Sequence, residues 1–244
     1  FISITGLRQK ILRSDFKLIF LSALFNPFLY FLCENYGLKF STPTLAAVII
    51  ATIPVFSPIV AWFTFRERLT GMNLAGIAIS FSGILIMLLN RDFQIVSDPR
   101  GLLFLFGAVF SALFYSVVLK RLTIRYSALT LVSSQNLIGI FLFLPFFLFM
   151  EADQALTVPI TGSIVTSFLL LAVLASSAAF VFFAHSVKLI GISKSNIFSN
   201  LIPVFTAFFS FLLIQEEFTL RKIAGIAIVI TGVYLSERSK KNGS

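Results

Sequence analysis

Glu34, in the stretch FLCENYGLK, is the carboxylate nearest to the interior of an apolar segment in this sequence. A carboxylate at that depth is costly unless it is neutral, paired or hydrated. Glu34 is therefore a candidate proton carrier or cation-binding group, with Asn35 beside it. The plainer reading places it in the headgroup region near Lys39. Pro54 and Pro203 fall inside two other apolar runs, where each removes a helical hydrogen bond and can open a kink; Asn26 with Pro27 is similar in kind. Tyr115, Gln135, Asn136, Asn196 and Asn200 are polar side chains within apolar runs. An amide facing lipid is unfavourable, so these should point to a cavity or to partner helices. Asn196 and Asn200 are one helical turn apart and, with Pro203, mark one side of their helix as a cavity wall. Glu67 and Glu216 stand just before Thr70 and Thr219. They read either as parts of a loop-and-cap device or as gating ion pairs.

Catalytic chemistry has little to work with. One histidine, His185, one cysteine, Cys33, and no metal-spaced cluster or phosphate-binding loop lead us to expect no catalytic residues, metal or cofactor. With no ATP-binding motif, any work must draw on a gradient or on solute exchange.

The elements that must position these residues follow from composition. Of 244 residues, 58% are hydrophobic, 12% are charged and 31 are Phe. Too few polar side chains remain to cover a soluble surface, so a lipid-facing one is required. Apolar runs at about 16 to 36, 43 to 65, 73 to 90, 101 to 119, 128 to 150, 160 to 184, 195 to 214 and 222 to 236 each approach the ~20 residues a helix needs to cross a bilayer. They are continuous, not alternating, which favours helices over a β-barrel. The fold class expected is all-α: a polytopic helical membrane bundle of eight spans.

Basic residues sort across it. Alternate loops carry 14 Lys and Arg on one side, among them Arg8, Lys10, Arg66, Lys120, Arg125, Lys194 and Lys241, and 5 on the other: Lys39, Arg91, Arg100, Arg221 and Lys222. Basic loops stay in the cytoplasm, so both chain ends should lie there. The net charge of +9 is then a topology signal with anionic headgroups as its partner, and nucleic acid is not expected.

A shift of 149 positions superposes residues 39 to 83 on 188 to 232 without a gap, with 13 identities in 45 positions. These include the IPVF run Ile53 to Phe56 on Ile202 to Phe205, Glu67 on Glu216, Thr70 on Thr219, and the AGIAI run Ala75 to Ile79 on Ala224 to Ile228. Five spans, an odd number, separate equivalent positions, so the two halves should be inverted. Inverted halves rocking about a midplane site are characteristic of secondary transporters. The first residue is Phe1, and the second half has two spans without counterparts, so about two helices are expected to precede this sequence.

The two segments IPVFSPIVAWFTFRERLTGMNLAGIAISFSG and IPVFTAFFSFLLIQEEFTLRKIAGIAIVITG resemble the EamA family of the drug/metabolite transporter superfamily. That resemblance implies ten helices in two inverted five-helix halves, with both termini cytoplasmic. Residues 1–92 would be the remainder of the first repeat and 93–244 the second. It implies a secondary active transporter, or permease, of small organic metabolites in a bacterial inner membrane, exporting by alternating access. Partners would be the lipid bilayer, a small-molecule substrate, a proton or other coupling ion, and a second copy in a homodimer. A channel or a non-transporting receptor is the alternative, because repeats describe architecture more directly than activity; a membrane-embedded enzyme lacks the residues for it.

A tag attached after Arg238 should be reachable only in permeabilised cells; labelling of intact cells would overturn the inward orientation.

Overall fold

Apolar runs bounded by hydroxyl residues become helices because a Ser or Thr side chain can satisfy a backbone N–H that the first turn leaves orphaned. The computed structural model describes residues 9–65, 70–88, 98–190, 202–217 and 219–238. In chain order the helices are α1 (Arg13–Lys39), α2 (Pro43–Thr64), α3 (Gly71–Leu88), α4 (Pro99–Leu122), α5 (Ala128–Glu151), α6 (Gly162–Ser186), α7 (Ile202–Ile214) and α8 (Leu220–Arg238). Among the described residues there is no strand. Thr42, Ser127 and Thr161 cap α2, α5 and α6, and Pro43 fills the first position of α2, where its missing N–H costs nothing. Thr70 and Thr219 cap α3 and α8 by accepting from the N–H groups of Asn73 and Lys222, 3.3 Å each. The capping read from the sequence is therefore what these two threonines do.

Six helices, α1 to α6, are long and apolar enough to cross a bilayer. The other two expected spans are helical but differ in character. The described part of α7 has 13 residues, and α8, although 19 residues long, carries Arg221 and Lys222 at its start and Arg238 at its end. Charges at both ends shorten its apolar stretch. The exterior is apolar, with Phe149 87%, Leu213 78% and Phe182 73% exposed, values that only a lipid-facing surface accommodates at this density.

Two helices are interrupted. Asn26 (φ −146°, ψ 119°) leaves the helical region inside α1, immediately before Pro27. In α2 the break falls at Ala51–Thr52, where the Thr52 hydroxyl donates to the Ile49 carbonyl (2.6 Å) and the Thr52 carbonyl accepts from Val55 (2.9 Å). Pro54 consequently sits in the first turn of a new segment, Ile53–Phe65, where its lack of an N–H is tolerated. Pro203 lies at the start of the described part of α7 and is buried.

By contacts the chain divides into two units. One comprises Phe1–Phe28 and Tyr115–Ile192, the other Leu29–Phe114 and Ser193–Ser244. In the first, the opening half of α1 and α6 both pack on α5, around Ile19, Leu119, Leu122 and Leu131. In the second, α3 and α8 form the most extensive helix pair, α7 packs on the first part of α2, and Val48, Ile49, Leu105, Val109 and Val229 are fully buried.

The α3–α8 pair explains its glycines. A Cβ added at Gly76 would lie 2.6 Å from the Gly232 carbonyl oxygen, and one at Gly83 would lie 2.8 Å from the Gly225 carbonyl oxygen. Small residues let backbones approach this closely where lipid supplies no hydrophobic drive for association. Packing is the role these glycines have here.

Gly83→Leu should lower the melting temperature of the protein in detergent by the equivalent of about 1–3 kcal/mol or more, the usual penalty of overpacking. Gly71→Ala, where an added Cβ meets nothing within 4 Å, should leave it unchanged or slightly raised.

Candidate functional site

The residues singled out by chemistry fall into three places among the described residues. In the first unit, a buried polar chain links three helices. The Tyr115 hydroxyl donates to Gln135 Oε1 (3.4 Å), Gln135 Nε2 donates to Ser22 Oγ (3.1 Å), and the Ser22 hydroxyl donates to the Ile19 carbonyl (2.7 Å). All three side chains are almost wholly buried. Asn26, one turn beyond Ser22 on α1, is also buried at the helix break, and Pro27 beside it is seated against Gly139, where a Cβ would come within 2.9 Å of its ring. Asn136, next to Gln135 on α5, is half-buried. The helix period that turns Gln135 inward turns its neighbour partly away.

In the second unit, Glu34 is half-buried and accepts a hydrogen bond from the Tyr30 hydroxyl at 3.1 Å, four residues earlier on the same helix. Lys39 is placed over the Tyr36 ring, 5.9 Å from its centroid. Asn35 is exposed. Tyr30 thus supplies the bond that keeps this carboxylate in a largely apolar stretch, as satisfaction of a buried acceptor requires.

The third place is the α7–α8 turn. Glu216 Oε2 accepts from the Thr44 hydroxyl at 2.7 Å and Oε1 from Lys222 Nζ at 3.0 Å; Lys222 Nζ also donates to the Glu217 carbonyl at 2.8 Å. The Glu216 side chain is 7% exposed. One carboxylate therefore joins the first turn of α2 to the first turn of α8. Gln215, with φ 53°, turns the chain so that Glu216 points back. Glu67, Asn196 and Asn200 lie outside the described residues.

One cluster escaped the sequence reading. Asp15, at the opening of α1, accepts from Tyr126 Oη (2.8 Å) and Arg125 Nη1 (3.2 Å), and the Leu12 N–H donates to Tyr126 Oη (3.1 Å). Gln9 accepts from the Ser127 N–H at 2.6 Å. Together these fasten the segment before α1 to the α4–α5 turn. Among the described residues no group of His, Cys, Asp and Glu is arranged to hold a metal ion.

Helices of membrane-crossing length, an apolar exterior and polar side chains turned into each unit define a polytopic integral membrane protein. The sequence matches the EamA-like transporter family over residues 1–89 and 99–238, and the chain belongs to that family. It is 26% identical over 232 residues to the uncharacterized transporter YetK of Bacillus subtilis (strain 168), covering 94% of this chain and 70% of that protein. With an uncharacterized transporter of Archaeoglobus fulgidus it shares 24% identity over 239 residues, 96% of this chain and 82% of the relative. A crystal structure of a protein 18% identical in sequence superposes with a TM-score of 0.66, covering 98% of this chain and 81% of the other, a likeness of fold. The protein is a membrane transporter, acting in a lipid bilayer on a small-molecule substrate.

Burial opposes ionisation of Glu216, but hydrogen bonds from Thr44, Lys222 and Thr42 and the Lys222 charge outweigh it, holding the carboxyl below its ordinary value of 4.5. A lowered folded-state value means that the ionised carboxylate stabilises the fold above the ordinary carboxylate range, and that this contribution is lost as pH falls through the folded-state value. Melting temperatures followed from about pH 7 to about pH 3 should drop less steeply for Glu216→Gln than for the unaltered protein, the divergence opening below the ordinary carboxylate value; parallel curves would contradict this assignment.

Proposed function

We propose that this protein is a secondary active transporter that moves small organic metabolites outward across the cytoplasmic membrane by alternating access of two inverted halves, 1–92 and 93–244. The observation that carries the reading is the α3–α8 pair. These helices correspond under the 149-residue shift, which takes Gly76 to Gly225 and Gly83 to Gly232. Gly76 packs against Gly232 and Gly83 against Gly225, so exchanging the halves converts one contact into the other. That reciprocity is what two inverted repeats meeting about a pseudo-two-fold axis would produce.

In this reading the substrate is taken up from the cytoplasmic side, on which both chain ends lie. Glu216 and Glu67 close opposite faces. The pathway residues of this reading are Asn26, Tyr115, Gln135 and Asn136, with Asn196 and Asn200; Pro54 lies in the first turn of a helical segment and Pro203 at the start of the described part of α7. Glu34 carries the coupling proton: neutral it is tolerated in the apolar stretch, and ionised it is held by Tyr30. Pairing of two copies into a homodimer is compatible with this scheme.

A metabolite-export and resistance screen in cells overproducing the full-length protein would supply the substrate. Its accumulation against a gradient in vesicles separates transporter from channel, since a channel only equilibrates. Glu34→Gln should flatten the pH dependence of accumulation while leaving the protein folded; an unchanged pH profile would remove Glu34 from the coupling role, and equilibration without accumulation would remove the transporter reading.

A further inference from the structure

The ends of α1, α3, α4 and α8 surround a cavity of about 450 Å³ in the second unit, lined by Lys39, Ser41, Thr42, Asp98 and Lys222 together with apolar Phe40, Leu45 and Met87. Its size is within the range of small-molecule sites. Among the described residues the charges around it are not balanced. Asp98 is committed to Arg100, which grips both of its oxygens (Nε to Oδ1 3.2 Å, Nη2 to Oδ2 2.8 Å) while stacking on Phe40 at 4.7 Å. Glu216 is committed to Lys222 and Thr44. Lys39 is left with the Tyr36 ring and, among the described residues, no carboxylate within ion-pair distance. Ser41 Oγ is buried and has no hydrogen-bond partner, an unusual condition that a bound ligand would relieve.

The geometry points to a binding site for the carboxylate of a small monoanionic solute, held by Lys39 and the Ser41 hydroxyl with its apolar remainder against Phe40, Leu45 and Met87. One unmatched positive charge calls for one negative charge. A dianion such as phosphate would bring a second charge toward Asp98 and Glu216 with no cation to meet it. An ammonium group would face Lys39 directly. The three apolar side chains favour a solute with a hydrocarbon portion over a bare ion. This deepens the transport reading by naming the charge class of the solute and rests on it for that step, although binding itself is measured without flux.

The test is titration of the full chain in lipid nanodiscs with hexanoate, its uncharged analogue hexanamide, and inorganic phosphate, with protein-free nanodiscs subtracted. Hexanoate should bind saturably and at least tenfold more tightly than either of the others. Lys39→Gln should weaken hexanoate about tenfold and Ser41→Ala severalfold, in line with loss of a charged and a single hydrogen bond. Lys17→Gln, on the opposite end of α1, should leave it unchanged. Equal binding of hexanoate and hexanamide, tighter binding of phosphate, or full affinity in Lys39→Gln would each overturn the site. Accumulation of a solute in vesicles with no hexanoate binding would overturn the site and leave the transport reading standing, whereas binding without accumulation would support the site and remove that reading.

Discussion

The contact on which the second unit depends is the close approach of α3 and α8. Lipid tails are as apolar as leucine, so two helices in a bilayer gain little by burying hydrocarbon against each other, and what holds them is dispersion at short range with whatever polar contact the proximity allows. Glycine at both crossing points makes that proximity available, with a carbonyl oxygen occupying the space a Cβ would need. The polar contacts then follow: Ser80 Oγ donates to the Val229 carbonyl at 3.3 Å, and Asn73 Nδ2 donates to the Ser236 carbonyl at 2.7 Å. Ile84, Val229 and Val233 close over the pair, and large side chains such as Leu85 and Tyr234 are left outside for the lipid.

Polar groups elsewhere obey the same solvent. Deep in the first unit they are neutral, Tyr115, Gln135 and Ser22, and each finds a partner within the unit. Charged groups with ionic partners occur at helix ends, Asp15 with Arg125 and Glu216 with Lys222, where water and headgroups share the cost of the charge. Glu34 stands between these regimes, a carboxylate inside α1 answered by a phenol from the same helix. Its partner is local because a residue four positions away reaches it without any tertiary constraint.

Helix order and type were legible from hydropathy because a bilayer demands long uninterrupted apolar runs. Capping by Thr70 and Thr219 was equally plain, since hydroxyl chemistry at a helix start is local. Long-range pairing was not legible. Nothing in the sequence around Arg125 distinguishes a topology-setting arginine from one gripping Asp15, 110 residues away. Pro54 was readable as a break but not as the start of a new segment, because the turn is made by Thr52 and its hydroxyl three residues after Ile49. Likewise the neighbours Gln135 and Asn136 have the same chemistry, and only the rotation of α5 decides which one is enclosed.

The two ends of the α3–α8 pair differ chemically although the two helices correspond under the 149-residue shift. Thr70 and Thr219 are equivalent under the 149-residue shift, and so are Asn73 and Lys222, three residues into each helix. Both threonines cap their helices. Asn73 uses its side chain three times, accepting from the Thr70 hydroxyl at 2.8 Å and the Thr70 N–H at 3.0 Å and donating to the last turn of α8, so its bonds at that end are all neutral. Lys222, at the matching position, instead reaches Glu216 and lines a cavity that also holds Lys39. An amide has donors and acceptors to spend on its own helix and its neighbour, whereas an ammonium is a donor alone and must face an anion or water. The same helical position therefore carries a neutral joint at one end of the pair and an ion pair beside a cavity at the other.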